Sequence, residues 1–179
     1  CSAVGSDRDT ERRRLRAALV NAGRRMRAAG VVVATEGNLS ARCDDGRVLT
    51  TPSGLDKGEL SEDDLVEVDL EGNVHGRGRP STEIDMHLAI YAERDDLHAI
   101  CHGHPPYATA FAAAHRALDA CVLPEVVCVF GAVPLTAYGT PSTDEVAAAI
   151  RPVFAEHDAA LLRNHGVVVG ADTPLAAFH

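Results

Sequence analysis

The sequence predicts an α/β fold, a β-sheet with helices packed on both faces. Three observations carry that reading. A stretch near the start repeats its apolar residues at helical spacing. Short β-branched runs bounded by Gly, Pro, Asn and Asp follow it. Further helical patterns then interrupt the strand-like runs without a regular βαβ alternation. The 179 residues are 46% hydrophobic and 24% charged, enough apolar material for one real core and a length that fits one domain.

Residues 1–8 read as a flexible lead, and residues 9–179 as the domain. Asp9 to Ala29 is helical: Leu15, Leu19, Ala22 and Met26 form one stripe, and Gly30 sits where a C-cap belongs. Its seven arginines read as a solvated face rather than a basic docking patch, given the overall charge. Val31–Ala34 is a β-branched run and an expected strand. Thr35-Glu36-Gly37-Asn38-Leu39-Ser40 is turn-rich and leads to a strand at Ala41–Cys43. Asp44-Asp45-Gly46 reads as a hairpin turn, and Arg47–Thr51 as the return strand ending at Pro52-Ser53-Gly54. Ser61–Asp64 starts a helical turn, and Leu65–Leu70 alternates like a strand. After Glu71-Gly72-Asn73 the segment Val74–Arg79 is polar and glycine-rich.

Pro80-Ser81-Thr82-Glu83 opens a helix with Ser81 as N-cap and Ile84, His87, Leu88 and Tyr91 on one face. Leu97–His104 is a strand and Pro105–His115 a short helix. Leu123–Phe130 and Val133–Tyr138 are apolar strand candidates. Thr143–Glu156 is helical, with Val146, Ala149, Ile150 and Val153 inward. Ala159–Asn164 and Val167–Val169 flank His165 as a strand-like pair, and Thr173-Pro174 opens a last helix.

Composition excludes several function classes. The net charge is −9, and this acidic balance argues against general nucleic-acid binding, which wants a basic surface. An anionic ligand stays open, because backbone N–H groups bind phosphate without a cationic side chain. No run approaches the ~18 apolar residues of a membrane helix. The five cysteines are an odd count without a CxxC pair, so no disulfide framework or zinc knuckle is expected and a reducing cytoplasm fits. The chain opens on Cys1 rather than Met, so a trimmed or replaced start is expected.

His102-Gly103-His104 is the strongest chemical feature. Residues two apart on a strand point the same way, so both imidazoles can face one metal ion. His165, in Asn164-His165-Gly166, is a third candidate ligand beside a glycine that allows close approach. Three histidines with a vacant position is the pattern of a catalytic zinc; the plainer alternative is three unrelated sheet histidines. Glu83 reads either as a carboxylate favoured by the helix dipole or as a base beside the metal. Ser81 and Thr82 at a helix start, Gly37-Asn38 and Ser53-Gly54 offer hydroxyls and N–H donors. Each is singly just a turn, and together they suggest a phosphorylated substrate.

Taken in order, Glu36-Gly37-Asn38-Leu39-Ser40, Thr51-Pro52-Ser53-Gly54, Pro80-Ser81-Thr82-Glu83, His102-Gly103-His104 and Asn164-His165-Gly166 resemble the class II aldolase/adducin family. The nearest branch is similar to L-fuculose-1-phosphate aldolase, and the resemblance runs from the first helix to the last residue. It implies a single domain with a mainly antiparallel central sheet in three α/β/α layers. It implies one zinc ion, or another divalent metal, per subunit on His102, His104 and His165. Glu83 matches the acid/base carboxylate. Gly37, Asn38, Ser53, Gly54, Ser81 and Thr82 match the phosphate-binding positions.

The implied activity is reversible cleavage of a ketose 1-phosphate to dihydroxyacetone phosphate and an aldehyde through a metal-stabilised enediolate. The implied assembly is a fourfold-symmetric homotetramer with active sites at subunit boundaries. No Schiff-base lysine is required, in keeping with the single lysine, Lys57, in a polar loop. A tyrosine serves as second acid/base in the fuculose-phosphate enzyme. Here Leu123-Pro124-Glu125-Val126 matches that stretch, so Glu125 is the alternative candidate. The family continues beyond His179 with a further helix and tail. Epimerases of the family carry aspartate where Glu83 stands, whereas dehydratases and decarboxylases share the glutamate. The adducin head, a binding module, lacks the metal histidines.

Overall fold

The computed structural model describes residues 2–120 and 124–179, apart from the side chains of residues 2–6, Glu125 and Val126. Helix α1 (Ser2–Ala28) leads to strands β1 (Asn38–Arg42) and β2 (Val48–Thr50). A short 3-10 turn (Glu62–Asp64) precedes β3 (Val66–Val68) and β4 (Val74–His75). Helix α2 (Ile84–Glu93) and strand β5 (Ala99–Gly103) form the middle of the chain. Helices α3 (Pro106–Ala113), α4 (Pro124–Phe130) and α5 (Asp144–Phe154) follow. Strands β6 (Ala159–Leu162) and β7 (Gly166–Ala171) and helix α6 (Pro174–Phe178) close it.

The strands build one seven-stranded sheet in the order β4-β3-β2-β1-β5-β7-β6, and every neighbouring pair is antiparallel. Alternation along the strands decides which layer each side chain joins. Leu39, Ala41, Ala99 and Cys101 face α1 and α6, where Leu19, Ala22, Met26 and Ala177 are buried. Val48, Val68, Ile100 and Val168 face the other way, into α2 and α5 with Ile90, Ile150 and Phe154. Helix α3 packs on β6 and β7. The expected three layers are therefore present. Among the described residues no helix is long and apolar enough to cross a membrane, and Cys43, Cys101 and Cys128 are free thiols.

Four local expectations need correction. The first helix begins at Ser2, so residues 2–8 are helical backbone rather than a lead. Val31–Ala34 is the irregular exit from α1: Val31 N–H bonds the Met26 carbonyl and Val32 is buried, so its β-branched side chains fill a loop. The apolar run at 123–130 forms helix α4 from Pro124; residue 123 lies outside the described residues. Val133–Tyr138 makes only two isolated bridges, Leu118 with Val133 and Leu135 with Leu161, because Pro134 has no N–H to extend a ladder.

Candidate metal centre and cleft

Register brings the site together. Asn38 on β1 stands directly opposite His102 on the central strand β5, and His102 stands opposite Val168 on β7. Two residues on, His104 leaves the strand, its N–H held by the Val31 carbonyl at 2.8 Å. His165 sits in the β6–β7 turn, where its N–H bonds the Leu162 carbonyl at 3.0 Å. The three imidazole rings pack with centroids 4.7–5.1 Å apart. One ligand atom from each lies within 4.8 Å of the others.

Two glycines permit this approach. A Cβ on Gly166 would fall 2.5 Å from the Gly103 carbonyl and 2.6 Å from the His104 ring. Gly37 has φ +66°, and its Cβ would strike Val32 at 2.4 Å and the His102 carbonyl at 2.8 Å. A larger residue at either position would push the histidines apart.

Glu83 closes the constellation. Its Oε2 lies 3.3 Å from His102 Nε2 and its Oε1 3.3 Å from His165 Nε2, while Asn38 Nδ2 donates to Oε2 at 2.9 Å. Burial pushes the Glu83 carboxyl up, but the His102 and His165 rings, which face it and stabilise its charge when protonated, and the Asn38 amide outweigh that and hold it down at about 2. Burial, reinforced by His102, pushes His165 down to about 4. Glu83 is the N-cap residue of α2 rather than a residue of its first turn. The Ser81 hydroxyl serves as an outer cap, accepting from Glu83 N–H at 3.3 Å.

A polar chain runs beneath the carboxylate. His87 on α2 is fully buried, and its Nε2 lies 2.5 Å from Asn38 Oδ1. That oxygen only accepts, so Nε2 carries the ring proton and Nδ1 accepts from the Ser40 hydroxyl at 2.7 Å. Tyr91 in turn donates to Ser40 at 2.9 Å. Asn38 is thereby fixed with its amide nitrogen toward Glu83. Burial pushes His87 down to about 3, so it stays neutral.

The residues fit a divalent metal ion. His102 Nδ1 donates to the Val167 carbonyl at 2.8 Å, which leaves Nε2 as a lone pair aimed at the cluster. His104 Nδ1 faces Glu36 at 3.3 Å in the same manner. His102 Nε2, His104 Nε2, His165 Nδ1 and Glu83 Oε1 are buried with no hydrogen-bond partner, a costly set of orphans unless an ion satisfies them. Three imidazoles beside one carboxylate are a donor set suited to zinc.

The cleft in front of the histidines is lined by Gly37, Asn38, Ser53, Gly54, Ser81, Thr82, Glu83, His104 and His165, so every expected phosphate position borders it. Two of the expected amide donors are committed elsewhere: Ser53 N–H bonds the Arg79 carbonyl and Ser81 N–H the Thr51 carbonyl. The hydroxyls remain available. Lys57 and Ser142 also line the cleft, and Ser142 donates to Thr82 Oγ1 at 3.0 Å. The sequence places Lys57 in a polar loop; the structure buries its side chain. Glu125 lies in α4, and its side chain lies outside the described residues.

The family described as Class II Aldolase and Adducin N-terminal domain matches residues 17–179. The chain is 35% identical over 163 residues to a 5-methylthioribulose-1-phosphate/5-deoxyribulose-1-phosphate aldolase of Rhodospirillum rubrum, covering 91% of this chain and 73% of the relative. It is 37% identical over 160 residues to a 3-oxo-tetronate 4-phosphate decarboxylase of Haemophilus influenzae, covering 86% and 76%. The crystal structure of an L-fuculose-1-phosphate aldolase from Thermus thermophilus superimposes with a TM-score of 0.80 at 34% identity, covering 92% of this chain and 84% of that one.

Proposed function

The chain belongs to the class II aldolase and adducin family, and on that premise we propose that it is a metal-dependent aldolase of ketose 1-phosphates. The observation that carries this reading is the ionised Glu83 carboxylate facing His102 and His165, with Asn38 orienting it. His102, His104 and His165 would hold one zinc ion per subunit. That ion supplies Lewis-acid stabilisation of the negative charge that develops on the substrate oxygens.

The chain's own residues do the rest. In the condensation direction, a Glu83 oxygen takes a proton from the carbon of dihydroxyacetone phosphate that forms the new bond; in cleavage it returns that proton. Asn38 keeps the carboxylate aimed at the cleft while the proton moves. The Ser81 hydroxyl accepts from the backbone and keeps its own proton to donate, so Ser81, Thr82, Ser53, Asn38, Gly37 and Gly54 form the phosphate cradle of this reading. Glu125 is the candidate for the acid/base at the hydroxyl of the leaving aldehyde. The subunits assemble as a fourfold homotetramer, a reading favoured by the exposed Tyr107, Phe111, Val129 and Tyr138; light scattering checks it.

Glu83→Gln tests the assignment. It keeps size and packing and removes the proton acceptor, so kcat should fall by about 10²–10⁴ with metal still bound. Exchange of the dihydroxyacetone phosphate proton with solvent deuterium should slow by a similar factor. A variant that exchanges at the parental rate would move the base away from Glu83. A second reading, a decarboxylase of a phosphorylated sugar acid, is favoured by the Haemophilus influenzae relative. Release of dihydroxyacetone phosphate from a panel of ketose 1-phosphates supports the aldolase; release of carbon dioxide from 3-oxo-tetronate 4-phosphate replaces it.

A further inference from the structure

Lys57 is the only lysine of the chain. It is 1% exposed, and Nζ donates to the Thr35 carbonyl at 3.0 Å and the Leu55 carbonyl at 2.7 Å. An ammonium has three donors, so one is left. No carboxylate forms an ion pair with it among the described residues. Its neighbour Asp56 is engaged on both oxygens, by the Gly58 N–H at 2.8 Å and Arg27 at 3.3 Å. Burial pushes the Lys57 ammonium down from its ordinary value, outweighing the opposing charge of Asp56. A buried cation without a counter-charge is unfavourable unless something else supplies one.

Its position is built in from below. A Cβ at Gly23 of α1 would come 2.6 Å from the Lys57 carbonyl, and one at Gly58 would come 2.8 Å from Arg27. Two glycines thus let this segment lie on α1 while Lys57 borders the cleft, its ammonium held by the carbonyl of Thr35, another lining residue. Lys57 is the sole Lys or Arg among the residues lining it. The Ser53 and Ser81 amides are spent within the fold, and the hydroxyls and remaining amides carry no formal charge to set against the double charge of a phosphate monoester.

We propose that Lys57 is a specificity-determining residue whose third N–H receives the phosphate dianion of the ligand. The inference rests on the proposed function in that it needs a phosphorylated ligand. It adds a cation to a cradle otherwise made of hydroxyls and amides. The selectivity that results is for a dianionic end group over a hydroxyl or a neutral polyol.

The single lysine makes the test direct. Labelling with ¹⁵N-lysine places one Nζ resonance in the spectrum of the parent protein. Inorganic phosphate, titrated into metal-stripped protein so that no ion competes for it, should move that resonance saturably. It should also raise the thermal midpoint with the same midpoint concentration. Lys57→Met keeps the stem and removes the charge. It should bind phosphate about tenfold or more weakly, with a phosphate-free midpoint no lower than the parent's. With metal restored, KM for a ketose 1-phosphate should rise with kcat little changed. If Lys57→Met does not fold, the resonance titration still decides. Phosphate binding that leaves the Nζ resonance unmoved overturns the role of Lys57 and leaves the aldolase reading standing. A parent that binds neither phosphate nor any phosphorylated ketose overturns both.

Discussion

His102 Nε2, His104 Nε2, His165 Nδ1 and Glu83 Oε1 are buried polar atoms that the protein alone does not satisfy. Such orphans persist where a ligand repays them. His102→Ala or His165→Ala should therefore lose bound metal, measured by elemental analysis, together with activity; retention of both in either variant would displace the site. Gly166→Ala isolates geometry from ligand chemistry. The added methyl meets the Gly103 carbonyl and the His104 ring, so overpacking should cost about 1–3 kcal/mol in denaturant unfolding and weaken metal binding with every ligand still present. The histidines and Glu83 were legible in the sequence because strand spacing and short motifs announce them. Lys57 and His87 were not. Lys57 depends on how a loop lies on Gly23 of a distant helix. His87 looks like any helix-face residue until Asn38 and Ser40 from β1 reach it.

Elements were legible where two signals agreed. Thr143 before an amphipathic run specified α5, and its hydroxyl does accept from Glu145 N–H at 3.3 Å. Thr143→Ala should cost about 1 kcal/mol of stability without altering metal content, because Thr143 itself does not line the cleft in front of the histidines. A loss of metal in that variant would tie α5 to the site more tightly than its packing indicates. Short apolar runs carried one signal only. The run at 123–130 could not be told from a strand by periodicity, and Pro124, a favoured first residue of a helix, was the unused clue. Val31–Ala34 has strand-like residues, but the core takes Val32 and part of Val31, and the Val31 carbonyl is spent on His104. Leu39 was expected in a turn-rich stretch, yet β1 begins at Asn38; Leu39, Ala41, Ala99 and Cys101 share one face because each side of the sheet has its own helical layer.

At the scale of the whole molecule, the site groups make the metal-free fold sensitive to acid in one direction. His87 titrates near its ordinary 6.5 when unfolded and at about 3 when folded. Between those values the unfolded chain binds a proton that the folded chain refuses, so stability falls as pH falls. His165, at about 4 in the fold, acts the same way from 6.5 downward. Glu83, ordinarily near 4.5 and held at about 2, contributes stability that is complete above 4.5 and lost as pH falls toward 2. The three windows overlap and none opposes another. Urea midpoints of the chelator-treated protein should therefore be flat above pH 7 and drop steadily below 6.5, with His87 alone supplying a slope of roughly 1.4 kcal/mol per pH unit. His87→Gln removes that titration, keeps groups able to bond Asn38 and Ser40, and should flatten the upper part of the decline. Midpoints that stay level from pH 7 to 5 in the parent would mean that His87 takes up its proton inside the fold, and the chain from Tyr91 to Glu83 would then have to be rearranged.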